Sequence, residues 1–226
     1  MSVTRFTSGV TNVTKENTLG QYGLPAPQSF HTYFNDFDTY VAADWTITEV
    51  GTGSRALTNE DGGVLLITNG ATDDNSNFFN KVGESFLMEA NKKAFFEARI
   101  KSSEATQSDI VLGLQITDTT PLDVTDGIFF LKSDGDALFD FIVEKYSTAT
   151  TTSEVATLVD DTYITLGFAF DGKSEIAIFV NGAQVGTSVG TNIPNDEELT
   201  ISFGIQNGEA VAHTLSVDYI FAAKER

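Results

Sequence analysis

The chain has 226 residues, no cysteine, and 32 acidic against 13 basic side chains, for a formal charge of −19. Without thiols, disulfides, thiolate metal sites and thiol nucleophiles are excluded, and so acidic a surface repels phosphate backbones, which argues against a nucleic-acid partner. No apolar run approaches the ~20 residues that span a bilayer, and the first residues lack a basic segment followed by an apolar one, so neither a membrane anchor nor a secretion signal is expected.

Residues 1–29 differ in texture from the rest. They are rich in Thr, Ser, Asn and Gly, lack sustained periodicity, and end in Pro25-Ala26-Pro27. Phe6, Val10, Val13, Leu19, Tyr22 and Leu24 are scattered singly, too sparsely to bury a core of their own. The segment is either a disordered tail or an arm that orders on another subunit. Its low charge and scattered apolar residues favour an arm, with Arg5, Phe6, Val10, Val13, Leu19, Tyr22 and Leu24 as its candidate partner-binding residues.

From Phe30 to Arg226 the chain reads as one β domain. Side chains alternate between the two faces of a strand, so a period of two marks a half-buried strand. Asp44–Ile47 carries the one tryptophan, Trp45; Ala56–Thr58 and Val64–Thr68 are short runs, and 69–77 is a polar loop. Within Lys93–Lys101, Phe96, Ala98 and Ile100 oppose Phe95, Glu97 and Arg99. Ile110–Ile116 sets Ile110, Leu112, Leu114 and Ile116 on one face, and Leu138–Glu144 does the same with Phe139, Phe141 and Val143. Ile128–Leu131, apolar on both faces, belongs at the centre of a sheet. Residues 147–153 form a Thr-rich loop or edge. Ile164–Phe170 and Glu175–Val180 flank Asp171-Gly172-Lys173, and Asn181-Gly182, a dipeptide suited to a tight hairpin, turns the chain into a third run at Val185. Leu199–Ile205 alternates cleanly, and in Leu215–Phe221 the spacing puts Leu215, Val217, Tyr219 and Phe221 on one face. The best helix candidate, Glu84–Lys92, is weak. Short strands with turn signals every 8–12 residues predict an all-β fold, a two-sheet antiparallel sandwich or jelly roll.

Few residues suggest chemistry. Asp118, Asp123 and Asp126 in TDTTPLDVTDG, and Asp134 and Asp136 in SDGDA, read as solvated turns with a calcium site as the sharper alternative. Asp136, Asp140 and Glu144, spaced by four, are the nearest approach to paired glycosidase carboxylates, and they fall on the face opposite Phe139 and Phe141. His31 and His213 complete no metal set or hydrolase signature. Trp45 reads as packing at the rim of the sandwich.

Several stretches in order resemble concanavalin A-like, laminin-G-like jelly rolls: Asp36-Phe37 with Trp45, Phe96-Glu97-Ala98-Arg99, Asp171-Gly172 with Asn181-Gly182, and Asp218-Tyr219-Ile220. The Glu-x-Asp-x-(x)-Glu strand of that superfamily's glucanases does not occur, so the resemblance implies no enzyme. The arm TRFTSGVTNVTKENTLGQYGLPAP, with HTYFNDFDTY, KVGESF and QNGEAV, also resembles structural proteins of tailed bacteriophage particles. That resemblance implies a decoration or cement protein on the capsid exterior of the virion, with the major capsid protein as partner, a homodimer or homotrimer, and no cofactor beyond optional Ca2+. The alternative is a lectin-like carbohydrate-binding module, using Trp45 and the rim loops.

Overall fold

The computed structural model describes residues 29–60 and 62–226. The proposed arm up to residue 28, and with it Arg5, Phe6, Val10, Val13, Leu19, Tyr22 and Leu24, lies outside the described residues.

The strands in chain order are β1 (Phe30–Asn35), β2 (Trp45–Val50), β3 (Gly53–Thr58), β4 (Val64–Asn69), β5 (Ser76–Lys81), β6 (Phe86–Leu87), β7 (Ala94–Ser102) and β8 (Ser108–Gln115). They continue as β9 (Gly127–Lys132), β10 (Leu138–Lys145), β11 (Thr148–Thr157), β12 (Ile164–Phe170), β13 (Glu175–Val180), β14 (Ala183–Val189), β15 (Glu198–Asn207) and β16 (Thr214–Glu225). Helical structure among the described residues is limited to two short 3-10 turns, so the candidate over 84–92 is instead the two-residue β6 in a loop.

Two antiparallel sheets result. The first runs β14-β13-β12-β7-β16-β4-β3, with β1 also paired to β16, and the second runs β11-β10-β9-β8-β15-β5-β2, with β6 paired to β15. Between them the inward sets pack as expected: Phe96, Ala98 and Ile100 against Ile110, Leu112, Leu114, Phe139, Phe141, Val143, Leu199, Ile201, Phe203 and Ile205. Phe79 and Phe203 stack at 4.8 Å with planes 4° apart, and Trp45 meets both edge-on. Such aromatic pairs add about 0.5–1.5 kcal/mol each beyond the area they bury. Trp45 is therefore packing.

Of the loop-or-edge alternatives for the Thr-rich stretch, the structure has the edge: β11 is an edge strand of ten residues, hydrogen-bonded by β10 almost throughout. Two expectations need correction. β5 begins at Ser76, inside the stretch expected to be loop. In β16 the alternation breaks: a register shift between Val217 and Tyr219 leaves Leu215 and Val217 in the core but turns Tyr219 and Phe221 outward, and Ile220 and Ala222 take the inward positions. The shift falls at Asp218, whose carboxylate pairs with Arg99 on the outer face. A bulge inverts every later side chain, which a period-two reading cannot detect.

One end of the sandwich is closed by amides. Asn77 Nδ2 donates to Asn69 Oδ1 at 2.8 Å, Asn69 Nδ2 to the Asn75 carbonyl at 2.8 Å, and Asn207 Nδ2 to the Gly70 and Thr72 carbonyls at 2.8 and 3.0 Å. Arg55 Nε donates to Asn77 Oδ1 at 2.9 Å, and its guanidinium pairs with Glu49. These bonds tie β4 of the first sheet to β5 and β15 of the second. Nearby, the fully buried Lys132 is satisfied by backbone, donating to the Thr106 carbonyl at 3.0 Å and to the Ser108 carbonyl.

Candidate functional site

The outer face of the second sheet is where the structure concentrates both a groove and polar chemistry. Cross-strand registers place its outward side chains in rows. One row reads Ile142, Phe129, Gly113, Ser202, Asn80, Thr46, and the next Asp140, Leu131, Val111, Gly204, Phe78, Thr48. The two glycines let neighbouring side chains lie on the sheet. A Cβ on Gly204 would come within 2.5 Å of Phe78 Cδ1 and 2.4 Å of the Asn77 carbonyl, and one on Gly113 within 2.6 Å of Phe129 Cβ.

The connection from β8 to β9, residues 116–126, folds over this face. Leu122 and Val124 pack on Phe78, Val111 and Phe129 to make a second apolar cluster outside the main core. The same acidic stretch was expected to be solvated turns. It is half that: Asp118 accepts the Thr120 N–H at 2.7 Å in an exposed turn, whereas Asp126 is buried and accepts the Tyr146 N–H at 3.2 Å. The signal available in the sequence was Leu122 and Val124, two apolar residues at a spacing of two within an acidic loop.

Between this loop and the edge of the sheet lies a groove of about 320 Å³. Thr48 and Val50 of β2, Ser76 and Phe78 of β5 and Gln206 of β15 line one side, and Thr119, Thr120, Pro121, Leu122 and Asp123 the other. Gln206 Nε2 is oriented by Asp74 Oδ1 at 2.9 Å. The lining combines hydroxyls, an amide and a carboxylate with apolar surface from Val50, Pro121, Leu122 and the largely buried Phe78.

Asp123, which lines the groove, also neighbours Glu144, as does Asp126. Burial pushes the Glu144 carboxyl up from its ordinary value, and the neighbouring charges of Asp123 and Asp126 add to the effect. Tyr146 stands exposed beside them at the β10–β11 turn, its hydroxyl donating to Asp196 and Lys145 pairing with Asp196 at 2.7 Å.

The other candidates are dispersed. Asp140 and Glu144 do lie opposite Phe139 and Phe141, but Asp140 is occupied as the acceptor of the Glu154 N–H at 2.8 Å and Asp136 as that of Leu138 at 2.7 Å. Asp134 lies beside Gly208, with its N–H donated to Asp109 Oδ1 at 2.9 Å. His213 is buried with Nε2 3.7 Å from Glu209. His31 contacts Ser85 Oγ at 3.0 Å, a partner 54 residues away that the sequence did not indicate. Among the described residues no three His, Asp or Glu side chains are placed to hold a metal ion.

Residues 60–220 match the family model described as SO2946-like, C-terminal domain. No curated protein matches the chain. Among solved structures, the protein of unknown function SO2946 from Shewanella oneidensis MR-1 aligns with a TM-score of 0.62 at 17% identity, over 90% of this chain and 95% of that one. An endo-1,3-β-glucanase from Streptomyces sioyaensis gives 0.62 at 13% identity, over 89% and 99%. The potassium-bound carbohydrate recognition domain of Emp46p gives 0.58 at 11%, over 84% and 94%. Likeness at these identities is likeness of fold, and the fold is the concanavalin A-like jelly roll that the ordered landmarks implied.

Proposed function

The chain belongs to the SO2946-like C-terminal domain family, and from that premise we propose that it is a carbohydrate-binding module of lectin type, working without catalysis. The observation that carries the reading is the groove beside Pro121, where Thr48, Ser76, Thr120, Asp123 and Gln206 share the lining with Val50, Pro121, Leu122 and the largely buried Phe78. Sugars present hydroxyls around an apolar ring face, and a few placed polar groups beside an apolar surface are the complement of that pattern. The fold likeness to a carbohydrate recognition domain supports the reading. So does the missing Glu-x-Asp-x-(x)-Glu strand, which favours binding over hydrolysis.

The resemblance to phage virion proteins suggested a finer role, bridging major capsid protein subunits on a particle exterior. The comparisons lend that role no support, so it stands below the carbohydrate reading. One experiment separates the two, because a cementing protein has no reason to bind sugar. The full chain is applied to a glycan array with calcium and with chelator, and hits are titrated by calorimetry. Gln206→Ala and Thr48→Val are each expected to weaken a hit roughly threefold to tenfold, the worth of one hydrogen bond, with the circular dichroism spectrum unchanged. Failure to bind any glycan under either condition would sink the reading.

A further inference from the structure

Under the 116–126 loop, the second sheet holds two polar side chains whose oxygens meet no donor. Gln115 and Asn80 are 0% and 1% exposed, and among the described residues neither Gln115 Oε1 nor Asn80 Oδ1 has a hydrogen-bond partner. Their nitrogens are engaged: Gln115 Nε2 donates to the Pro121 carbonyl at 3.0 Å and Asn80 Nδ2 to Ser202 Oγ at 3.2 Å. Each amide is thereby oriented, and each oxygen is left as an acceptor. Buried acceptors without donors lose hydration and gain nothing, so folded proteins retain few, and each one calls for an explanation. Both belong to the outer face. Gln115 is paired with Thr200 and Asn80 with Ser202, so the two amides flank β15 two residues apart in register.

The outer face that holds them is crossed by a loop without strand or helix, which Gln115 contacts at Pro121. Its outer part is held by exposed polar contacts, the Thr117 N–H to Glu84 Oε1 at 2.6 Å and the Asp118–Thr120 turn. Its inner part is held by Leu122 and Val124. Pro121 has two roles here: it is a wall of the groove and the acceptor of the Gln115 amide. Displacing Pro121 outward would therefore join groove to amide and free both ends of Gln115 at once.

We infer that residues 117–122 are a lid, and that Gln115 and Asn80 beneath it form an occluded subsite for the hydroxyl groups of a saccharide whose first unit lies in the groove. An amide offers N–H and C=O side by side, and adjacent sugar hydroxyls each donate and accept, so one carboxamide serves two of them. Asn80 beside Ser202 repeats the arrangement. The inference rests on the carbohydrate reading and adds ligand length to it: the site takes an oligosaccharide, with the lid moving as the second unit enters.

The test titrates the full chain, and its Gln115→Met variant, with glucose and with β-1,3-linked glucose oligomers of increasing length. Wild type is expected to bind longer oligomers more tightly. The variant is expected to lose about tenfold for the longest oligomer and nothing for glucose. In parallel, the Gln115 side-chain amide is followed by NMR in the wild-type protein, where oligomer binding is expected to shift it and glucose is not. If the amide signal stays fixed while oligomers bind, or if Gln115→Met keeps the length dependence, the lid inference is overturned and the carbohydrate reading survives. If wild type binds neither glucose nor any oligomer, while glycan-array hits of other chemistry remain, the subsite is overturned for glucans and the groove reading stands. If no sugar binds at all, both fall.

Discussion

Glu104 shows how a single side chain can organise a loop in this protein. Its Oε1 accepts the Thr106 hydroxyl at 2.6 Å and the N–H groups of Thr106 and Gln107 at 2.7 and 3.0 Å. Those hydrogen bonds, the Thr106 hydroxyl first, favour the ionised carboxylate and hold it down at about 2, against an ordinary 4.5. A carboxyl depressed on folding contributes stability that is present above its unfolded value and is lost as pH falls through its folded one. The window is therefore pH 4.5 down to about 2. Because solvent screens the group, the contribution is a few tenths to about 1 kcal/mol. Urea unfolding of wild type and Glu104→Gln across that range is expected to give a stability difference that is full at pH 6 and closes towards pH 2. A difference that grows on acidification would contradict the assignment.

Turns make the same point at the scale of elements. Asn181 and Gly182, at φ of 50° and 77°, join β13 to β14 with the left-handed pair that a two-residue hairpin favours. The identical geometry joins β10 to β11 through Tyr146 and Ser147, at φ of 50° and 56°, with no glycine. The first turn was legible in the sequence because Asn-Gly carries its own backbone preference. The second was not, because Tyr-Ser is held there by its surroundings, including the Asp126 carboxylate on the Tyr146 N–H. Ser147→Gly is expected to relieve the left-handed penalty and stabilise the protein by about 0.5–1 kcal/mol, and Gly182→Ala to destabilise it by about 1 kcal/mol or more. Urea midpoints would show shifts of opposite sign. The same division runs through the rest of the fold. Alternation located Phe96, Ala98 and Ile100, the inward set of β15 and the central place of β9, since burial of one face imprints itself on neighbouring residues. It missed the bulge at Asp218. It also missed the contacts that create the site, where Gln115 meets Pro121 and the Asn69 amide meets Asn207, because nothing local marks partners brought together by topology.

For the molecule as a whole, the dominant long-range term is self-repulsion. A charge of −19 on 226 residues disfavours the compact state, and neutral salt relieves it as the screening length shrinks from ~30 Å at 0.01 M to ~8 Å at 0.15 M. The melting temperature is expected to rise with sodium chloride, most steeply over that first interval. A flat or falling curve would mean that attractive pairs such as Lys145–Asp196 outweigh the excess acid. The same charge bears on ligand choice, since anionic polysaccharides would meet a repelling surface and neutral ones would not.

The position of β16 has a further consequence, in the order of events during synthesis. This strand pairs with β4 and β1 along one edge and with β7 along the other, and it follows every other strand in the chain. A ribosome that has translated only as far as His213 has made every other strand, yet the first sheet exists as separate pieces: β14-β13-β12-β7, β4-β3, and β1 alone. Phe96, Phe168 and Leu65 then have no continuous wall to pack in. Closure of the first sheet is therefore expected to wait for β16, with the domain folding late in synthesis rather than hairpin by hairpin, and proteolysis of nascent chains ending at His213 is expected to find the aromatic core open.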